Sequence, residues 1–436
     1  MALTGRSALI AALGALPVGL LLPSRTGILV VGLLLLLAIL CDLLLAAPVR
    51  KLYFTRSGDT TVRLGEQAHV QLTVGNPSHR TLRAQLRDAW PPSSWQPGTE
   101  LTASRHRLRI PPGERRRATT LLRPSRRGDR LAAQITVRSY GPLGLAARQG
   151  SHTVPWTLRV LPPFTSRKHL PAQLARLREL DGRTSILTRG EGTEFDSLRE
   201  YLPGDDTRSI DWRASARQST LAVRSWRPER DRRILLVLDT GRTSAGRVGD
   251  APRLDSAMDA ALLLAALASR AGDRVDLLAY DRRIRASVRG HSARDLLPAL
   301  TSALAPLESE LVETDARGLA VAALRTAAHR SLVVLLTGLD TAAIEEGLLP
   351  VLPGLTRRHT VLVASVADPR IEEMANGLGT VTRVYEAAAA ARAQAERRRI
   401  ASRLQRHGVT VVDAVPDELA AALADAYLAL KAAGRL

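Results

Sequence analysis

The sequence predicts a multidomain protein with a transmembrane helical hairpin, an immunoglobulin-like β-sandwich and a doubly wound α/β domain. Three observations support this fold class. Apolar runs lie at residues 8–22 and 27–47, short runs separated by turn residues fill 52–161, and strand and helix patterns alternate from Arg232 onward. At 436 residues the chain can bury two or three separate cores. The expected regions are the hairpin at 1–50, the sandwich at 51–162, a linker with a signature region at 163–230, and the α/β domain at 231–436.

The hairpin prediction rests on the length and spacing of the two apolar runs. A spanning helix needs about 20 apolar residues, and the run 27–47 meets that length. The run 8–22 is shorter and contains Pro17, so a signal peptide is the alternative interpretation. Only residues 23–26 separate the two runs, which favours a helical hairpin in the cell membrane.

Basic residues predict the orientation of the hairpin. Arg25 lies in the connection, whereas a larger basic group flanks the two ends. That group is Arg6, Arg50, Lys51 and Arg56. The positive-inside rule then places both ends and the soluble domains in the cytoplasm. Asp42 lies near the end of the second run, where we expect it at the headgroups or paired with Arg50.

Residues 52–161 have the pattern of a β-sandwich. Short alternating runs are expected as strands at 60–64, 68–74, 81–86, 105–110, 117–122, 131–137 and 153–161. Turn residues such as Gly75-Asn76-Pro77 and Pro111-Pro112-Gly113 separate them, as is typical of a sandwich. Such a domain either binds protein or serves as a spacer, and both alternatives remain open.

From residue 232 the alternation of strands and helices predicts a parallel sheet with helices on both faces. Strands are expected at 234–239, 274–280, 284–288, 331–337, 360–367 and 409–415. Helices are expected at 254–271, 295–307, 317–328, 387–406 and 417–432. Ligands of such sheets gather at the carboxyl ends of the strands, which draws attention to Asp239.

Residues 190–217 form a stretch in which acids and arginines alternate around Tyr201 and Trp212. Its charged residues are Glu191, Glu194, Asp196, Arg199, Glu200, Asp205, Asp206, Arg208, Asp211, Arg213 and Arg217. Carboxylates and guanidinium groups can form bidentate pairs that fix geometry more than they stabilise a fold. We therefore predict a clamp between domains or a docking surface, with the aromatic rings packed inside it. The alternative is a solvated loop with scattered ion pairs.

This stretch, hereafter the signature, resembles that of the domain of unknown function 58 family. The matching residues are Glu194-Phe195, Leu198-Arg199-Glu200-Tyr201, Gly204-Asp205-Asp206, Arg208, Ile210-Asp211-Trp212 and Ala216-Arg217. The resemblance implies a C-terminal domain like von Willebrand factor type A and a MoxR-type AAA+ ATPase as partner. The residues expected to bind that partner are Glu194, Arg199, Glu200, Tyr201, Gly204, Asp205, Asp206, Arg208, Asp211, Trp212 and Arg217.

A domain like von Willebrand factor type A further implies a divalent metal site at the end of the first strand, with Mg²⁺ as the candidate cofactor. The ligands implied here are Asp239, Thr243 and Thr314. Gly241 stands where that motif has a serine, and Gly338 stands where it has an aspartate, with Asp340 two residues on. The site is therefore expected to be degenerate, and Asp239 capping a helix or pairing with an arginine is the alternative.

The composition and the motifs that the sequence lacks limit the classes of function that the chain can have. The net charge of +20 fits an anionic membrane surface or nucleic acid, but aromatics are only 3% of residues, without a base-stacking strip. Cys41 is the only cysteine, which excludes an intrachain disulfide. The chain has no Gly-x4-Gly-Lys-Ser/Thr, Gly-x-Ser-x-Gly or His-Glu-x-x-His motif. We expect a non-enzymatic membrane adaptor; the alternatives are a metal-dependent adhesion-type domain and an electrostatic membrane or nucleic-acid binder.

Overall fold

The computed structural model divides the chain into two compact units, residues 1–161 and 162–436. It describes residues 2–20, 24–96, 98–187, 194–202, 207–218, 220–227, 232–377 and 379–436. The two units are described separately below.

The first unit begins with two apolar helices, α1 (Gly5–Leu20) and α2 (Arg25–Leu45). An 18-residue window of the segment Arg25–Lys51 has a mean hydropathy of 3.1, and the segment is long and apolar enough to cross a membrane. Helix α1 has 16 residues, fewer than the about 20 that a span needs. Asp42 is fully buried, and its carboxylate accepts hydrogen bonds from backbone N–H groups of residues 143–146. The expected pairing of Asp42 with Arg50 is therefore wrong, whereas its expected level at the headgroups stays a prediction.

The rest of this unit is a sandwich of β-strands. The strands are β1 (Ala2–Leu3), β2 (Tyr53–Gly58), β3 (Thr61–Arg63), β4 (Ala68–Gly75), β5 (Leu82–Asp88), β6 (Arg105–Ile110), β7 (Arg115–Leu122), β8 (Gly128–Leu131), β9 (Gln134–Tyr140), β10 (Ala146–Thr153) and β11 (Thr157–Leu161). Short helical turns lie at Val49–Lys51 and Pro92–Ser94, and α3 spans Glu100–Ala103. A five-stranded sheet, β1-β10-β9-β5-β6, lies on one side, and the sheets β2-β4-β7 and β3-β11-β8 lie on the other.

Alternating side chains of both layers fill the sandwich interior. Leu72 and Val74 of β4 pack with Leu86 of β5 and Val137 of β9 in one buried cluster. This cluster joins the two layers, because strands of both sheets point their apolar faces into it.

The interior of the sandwich also contains a buried ion pair. Arg56 donates to Asp88 at 2.6 Å, and both side chains are almost fully buried. Trp90 and Thr120 donate to the same carboxylate at 3.1 and 2.9 Å, so the buried charges are hydrogen-bonded as their desolvation requires. His106 lies 3.0 Å from Thr120. Burial lowers the pKa of His106, and the charge of Asp88 only partly offsets this.

The second unit opens with a short helical turn at Thr165–His169 and α4 (Leu170–Leu187). Phe164, Leu170 and Leu177 pack into the core of the α/β sheet. Asp259 accepts hydrogen bonds from Thr165 and Ser166, so the segment expected as a linker is part of this unit.

The core of the second unit is a six-stranded sheet. Its strands are β14 (Arg233–Asp239), β17 (Arg274–Tyr280), β18 (Ile284–Val288), β19 (Leu332–Leu336), β20 (Thr360–Val366) and β21 (Thr410–Ala414). Two separate pairs of strands also lie in this unit, β12 (Glu194–Glu200) with β13 (Ala222–Arg227) and β15 (Arg247–Val248) with β16 (Ala251–Pro252). The order is β18-β17-β14-β19-β20-β21, and all neighbours are parallel except the edge strand β18. The first strand of this sheet in the sequence, β14, lies inside it, and the later strands are added on both sides of β14. The doubly wound sheet is therefore confirmed.

Helices cover both faces of this sheet. The helices that follow β13 in the sequence are α6 (Arg242–Ala245), α7 (Arg253–Arg270), α8 (Leu296–Leu304), α9 (Ala316–Thr326), α10 (Leu349–Thr356), α11 (Pro369–Ala375), α12 (Val381–Arg406) and α13 (Pro416–Ala432), with a π-helical turn at Ala343–Leu348. Helix α5 (Trp212–Gln218) precedes them and contacts β13. Leu236 and Leu238 of β14 face α7 and α13, whereas Leu235 and Val237 face α9, α10 and α12. The fully apolar strand is explained by burial on both faces.

Candidate functional site

The candidate site lies at the switch point of the doubly wound sheet, between β14 and β19. The winding direction reverses there, and the carboxyl ends of the two strands leave a crevice in which such sheets bind ligands. Asp239 is the last residue of β14, and Thr337 follows the last residue of β19. The two side chains meet at this crevice, where Asp239 is only 4% exposed.

The carboxylate of Asp239 is surrounded by hydrogen-bond donors. Its Oδ1 accepts from the Thr314 hydroxyl at 2.5 Å and from the backbone N–H of Gly241 at 2.9 Å. Its Oδ2 accepts from the hydroxyls of Thr243 at 2.8 Å and Thr337 at 2.6 Å. These residues form the Asp239 cluster, and the structure thus brings Asp239, Thr243 and Thr314 together as the sequence analysis expected.

Thr314 reaches Asp239 because its loop is fixed to the ends of two strands. The backbone N–H of Glu310 donates to the Thr240 carbonyl oxygen at 2.8 Å, and that of Arg242 donates to the Val312 carbonyl oxygen at 2.8 Å. The N–H of Asp315 donates to the Asp281 carbonyl oxygen, also at 2.8 Å. These bonds hold the loop before α9 over the end of β14.

Asp281 extends the polar network from the cluster to the neighbouring strand end. Its carboxylate accepts from the Thr240 hydroxyl at 3.1 Å and from Arg285 at 2.8 Å. Burial raises the pKa of this carboxyl, but hydrogen bonds from Arg282, Arg283, Arg285 and Thr240 outweigh burial, so the net pKa is lowered. Asp281 is therefore held in its charged form beside the loop that carries Thr314.

Close packing explains Gly241, one of the two glycines at which the sequence departs from the metal-binding motif. A Cβ built on Gly241 would lie 2.2 Å from the Thr314 hydroxyl oxygen and 2.9 Å from the Val312 carbonyl oxygen. A Cβ on Gly338 would lie 2.5 Å from a carboxylate oxygen of Asp340. All three distances are below 3.0 Å, a separation that real Cβ atoms essentially never show, so a serine at 241 is incompatible with the observed position of Thr314.

The sequence analysis missed Thr337 as a member of the cluster. It was placed at the end of an expected strand, 331–337, and treated as part of the sheet. Its position directly after a parallel strand, next to the switch point, was the available signal.

A cavity of about 250 Å³ opens beside the cluster. Asp239, Thr314 and Thr337 line its polar side, and apolar residues of the sheet and the π-helical turn, such as Leu335 and Ile344, line the other. Arg242 and Glu313 at the cavity pair with each other at 3.0 Å, both largely exposed. The cavity can therefore receive an apolar group that carries a polar end.

The donor set fits a hard divalent cation in chemical type, because Mg²⁺ prefers carboxylate and other oxygen ligands. Three hydroxyls lie within 2.5–2.8 Å of the oxygens of one carboxylate. The carboxylate is already satisfied by four donated hydrogen bonds, and the cluster supplies one negative charge. Within the described ranges no group of three Asp, Glu, His or Cys side chains could hold a metal ion. Asp239, Thr243, Thr314 and Thr337 are the residues that would bind one.

Strand β12 of the signature pairs antiparallel with β13, which follows the signature, and the short helix α5 lies between the two strands in the sequence. Glu194, Arg199 and Glu200 lie on β12, and Tyr201 follows it with its N–H bonded to the Leu221 carbonyl oxygen at 2.7 Å. Gly204, Asp205 and Asp206 lie outside the described residues.

The second half of the signature surrounds α5. Arg208 lies in a helical turn at Thr207–Ser209, and exposed Arg217 lies in the last turn of α5. Asp211 caps α5, since its carboxylate accepts from the N–H groups of Arg213 and Ala214, each at 3.0 Å. Trp212 is 68% exposed, so the expectation that this ring packs inside the signature is wrong.

Trp212 is accompanied by other exposed apolar side chains of the signature and of the residues that follow it. They are Leu198, Leu202 and Leu221, each more than a third exposed. Exposed apolar side chains that form a contiguous patch are typical of a site for protein binding.

Comparisons with known proteins support the family resemblance that the signature residues indicate. Residues 197–410 match the family described as "Protein of unknown function DUF58". The uncharacterized protein YeaD of Bacillus subtilis is 28% identical over 115 residues, 26% of this chain and 28% of the relative. The uncharacterized protein Rv1480 of Mycobacterium tuberculosis is 28% identical over 190 residues, 43% of this chain and 59% of the relative. The chain thus spans less than two thirds of these relatives' length.

Solved structures resemble parts of the chain only distantly. The CARDB domain of the PF1109 protein from Pyrococcus furiosus is 11% identical, covers 28% of this chain and 92% of that chain, and has a TM-score of 0.19. The β-glucuronidase of Bacteroides uniformis is 11% identical, covers 73% of this chain and 40% of that chain, and has a TM-score of 0.16. Similarity at this level supports no conclusion about fold or function.

Proposed function

We propose, for a chain whose residues 197–410 are a domain of the DUF58 family, the role of a membrane-anchored adaptor without enzymatic activity. It binds a protein partner, a MoxR-type AAA+ ATPase, through the signature and the α/β domain. The apolar helices anchor it in the cell membrane as a hairpin, with the soluble domains in the cytoplasm. The α/β domain acts as a binding domain like von Willebrand factor type A.

The exposed tryptophan of the signature is the observation that carries this proposal. Trp212 presents most of its ring to solvent on a capped helix, and Leu198, Leu202 and Leu221 of the same region are also exposed. Tryptophan in an apolar surface patch is the side chain most often found at the centre of binding energy in protein interfaces. Charged residues around it, such as Arg213 and Arg217, supply the polar rim that such interfaces have.

The motifs absent from the sequence support a division of labour with a partner. The chain carries no Gly-x4-Gly-Lys-Ser/Thr loop to hold the phosphates of ATP. In this proposal ATP hydrolysis takes place on the partner, and this protein supplies the membrane attachment and the docking surface.

Affinity capture tests the proposal. The tagged full-length protein is isolated from its own detergent-solubilised membranes with ATP and Mg²⁺, and bound proteins are identified by mass spectrometry. We expect an AAA+ ATPase with the native protein and at least a tenfold loss with Trp212→Ala, because interface tryptophans contribute about 2 kcal/mol or more. The matched control is Tyr385→Ala, which removes another aromatic ring, 74% exposed, from α12.

Two results would contradict this proposal. If no AAA+ ATPase is captured, the proposed partner is wrong. If the native protein and Trp212→Ala capture it equally, the docking surface does not lie at the signature. Charge reversal at Asp205 and Asp206 provides a second test of the same surface, since both belong to the family signature.

The Asp239 cluster favours a second candidate, a metal-dependent adhesion-type binding domain. One carboxylate and three threonine hydroxyls converge at the switch point beside a cavity. If Mg²⁺ binds there, millimolar Mg²⁺ raises the unfolding temperature of the full-length protein in detergent. Thr314→Val, which removes one oxygen with little change of volume, should abolish that rise. An unfolding temperature that Mg²⁺ leaves unchanged argues against this candidate.

A further inference from the structure

The second apolar helix is held to the β-sandwich by a buried carboxylate. Asp42 Oδ1 accepts from the backbone N–H groups of Leu143 at 2.8 Å and Gly144 at 3.3 Å. Its Oδ2 accepts from those of Leu145 at 2.7 Å and Ala146 at 2.9 Å. Four hydrogen bonds to one charged group fix both the position and the rotation of α2 against the loop between β9 and β10.

The start of the chain and the end of α2 reach the same edge of the sandwich. Strand β1 pairs with the beginning of β10, and Thr4 donates to the carbonyl oxygens of Gly144 at 2.8 Å and Leu145 at 3.0 Å. The end of α2 is capped by Arg148, which donates to the Leu43 carbonyl oxygen at 2.9 Å, and by Arg80, which donates to that of Leu44. One edge of the sandwich is therefore attached to both helices.

The length of α2 sets the level of this edge relative to a bilayer. The helix has 21 residues, which corresponds to about 30 Å at 1.5 Å per residue, the thickness of the hydrocarbon core. An α2 that spans the bilayer therefore places its last residues, and the sandwich edge that caps them, at the headgroups.

Basic side chains surround this edge. The basic rim is defined as Arg6, Arg50, Lys51, Arg80, Arg83 and Arg109, all exposed. The Arg6 guanidinium lies next to Gly144, Arg80 and Arg83 donate to Leu44 and Pro142, and Arg109 pairs across the strands with Arg83. Arg50 and Lys51 lie in the helical turn that follows α2.

Exposed apolar residues lie at the same edge. Leu143, in the loop that binds Asp42, is 52% exposed, and Tyr53, at the start of β2, is 48% exposed. Aromatic side chains with a polar end and snorkelling basic side chains are the residues that proteins place at the interface between lipid and water.

We propose that the basic rim binds anionic phospholipid headgroups at the membrane surface. Guanidinium groups bind phosphate with paired hydrogen bonds, and basic residues close to a membrane end attract anionic lipids. The inference rests on the membrane anchoring of the proposed function and is independent of the ATPase partner.

The test compares the full-length protein in lipid nanodiscs of phosphatidylcholine with nanodiscs that also contain phosphatidylglycerol. We expect phosphatidylglycerol to raise the thermal unfolding midpoint by a few degrees at low ionic strength, and high salt to reverse the rise. The triple variant Arg50→Gln, Lys51→Gln and Arg109→Gln should lose most of the rise.

A matched variant removes the same charge from the other end of the sandwich. Arg87, Arg105 and Arg126 are exposed, and Arg87 pairs with Arg105 at the end of β5 opposite to Leu82 and Arg83. Replacing these three with glutamine should leave the effect of phosphatidylglycerol intact. The proposal that the basic rim binds anionic lipid is wrong if both triple variants lose the rise in unfolding midpoint equally, or if the midpoint does not depend on phosphatidylglycerol.

Alkaline carbonate extraction of native membranes separates this outcome from failure of the anchor. Protein that remains in the membrane but shows no response to phosphatidylglycerol overturns the rim alone. Protein released by carbonate overturns the anchor, and the rim with it. Neither result depends on whether an ATPase binds to Trp212.

Discussion

Replacing Gly241 with serine distinguishes two explanations of the Asp239 cluster. If Gly241 replaces a serine that would bind the metal in an otherwise functional motif, Gly241→Ser restores a hydroxyl and strengthens Mg²⁺ binding. If the glycine is required by packing, serine disrupts the cluster. An added Cβ would lie 2.2 Å from the Thr314 hydroxyl oxygen and 2.9 Å from the Val312 carbonyl oxygen, which favours disruption.

The size of the effect follows from the contacts that must move. Thr314 would lose its hydrogen bond to the Asp239 carboxylate, which contributes about 1.5–3 kcal/mol as a bond to a charged group. Overpacking adds about 1–3 kcal/mol. Some relaxation of the loop is expected, so we predict a loss of about 3 kcal/mol, equivalent to a fall of about 6–12 °C in the unfolding midpoint of the α/β domain.

Thermal unfolding of the full-length protein in detergent, with and without Mg²⁺, measures this effect. Gly241→Ala is the control, because it carries the same Cβ without the hydroxyl. We expect both variants to be destabilised to a similar extent and to be insensitive to Mg²⁺. The packing explanation is refuted if Gly241→Ser is as stable as the native protein and gains stability from Mg²⁺ while Gly241→Ala does not.

Three further predictions concern buried carboxylates. Asp42→Asn leaves two N–H groups of residues 143–146 without an acceptor, so hydrogen exchange measured by mass spectrometry should lose protection in that loop. Asp88→Ala should destabilise the sandwich by about 3–5 kcal/mol in chemical denaturation, because Arg56 remains buried and unpaired, and the double change with Arg56→Met should recover much of the loss. The lowered pKa of Asp281 means that its contribution is present above the ordinary aspartate pKa and is lost as the pH falls through the lowered value. Unfolding of Asp281→Asn should therefore depend less on pH in the acid range, and an unchanged acid dependence would contradict this role.

The α/β domain was predictable because its strands are buried on both faces. The apolar run before Asp239 and the long apolar helix after it lie within one residue of their expected ends, at Arg233–Asp239 and Arg253–Arg270. A strand that is buried on both faces is apolar at every position, so its burial is evident from its composition. In the Asp239 cluster, Asp239 was predictable from its position at a strand end, whereas Thr243 and Thr314 were expected only because of the resemblance to a domain like von Willebrand factor type A.

The sandwich was less predictable because its edge regions carry little apolar signal. Strand β10, Ala146–Thr153, was not expected, and residues 153–161 were taken as one strand. Its sequence of small and polar residues has no apolar alternation, and it becomes a strand through pairing with β9 and β1. Tertiary pairing of this kind overrides local propensity.

Charge pattern predicted a wrong partner for Asp42, and the physical reason applies to Asp239 as well. Pairing a buried carboxylate with an arginine requires two groups to lose their hydration, whereas neutral donors fix it with one. Asp42 uses backbone N–H groups and Asp239 uses threonine hydroxyls and one N–H, while Asp88 alone of these three pairs with a buried arginine. Acids held by neutral donors leave the arginines of a chain with a net charge of +20 at the surface. The charge surplus is then available to lipid headgroups at the basic rim, where we propose that it acts.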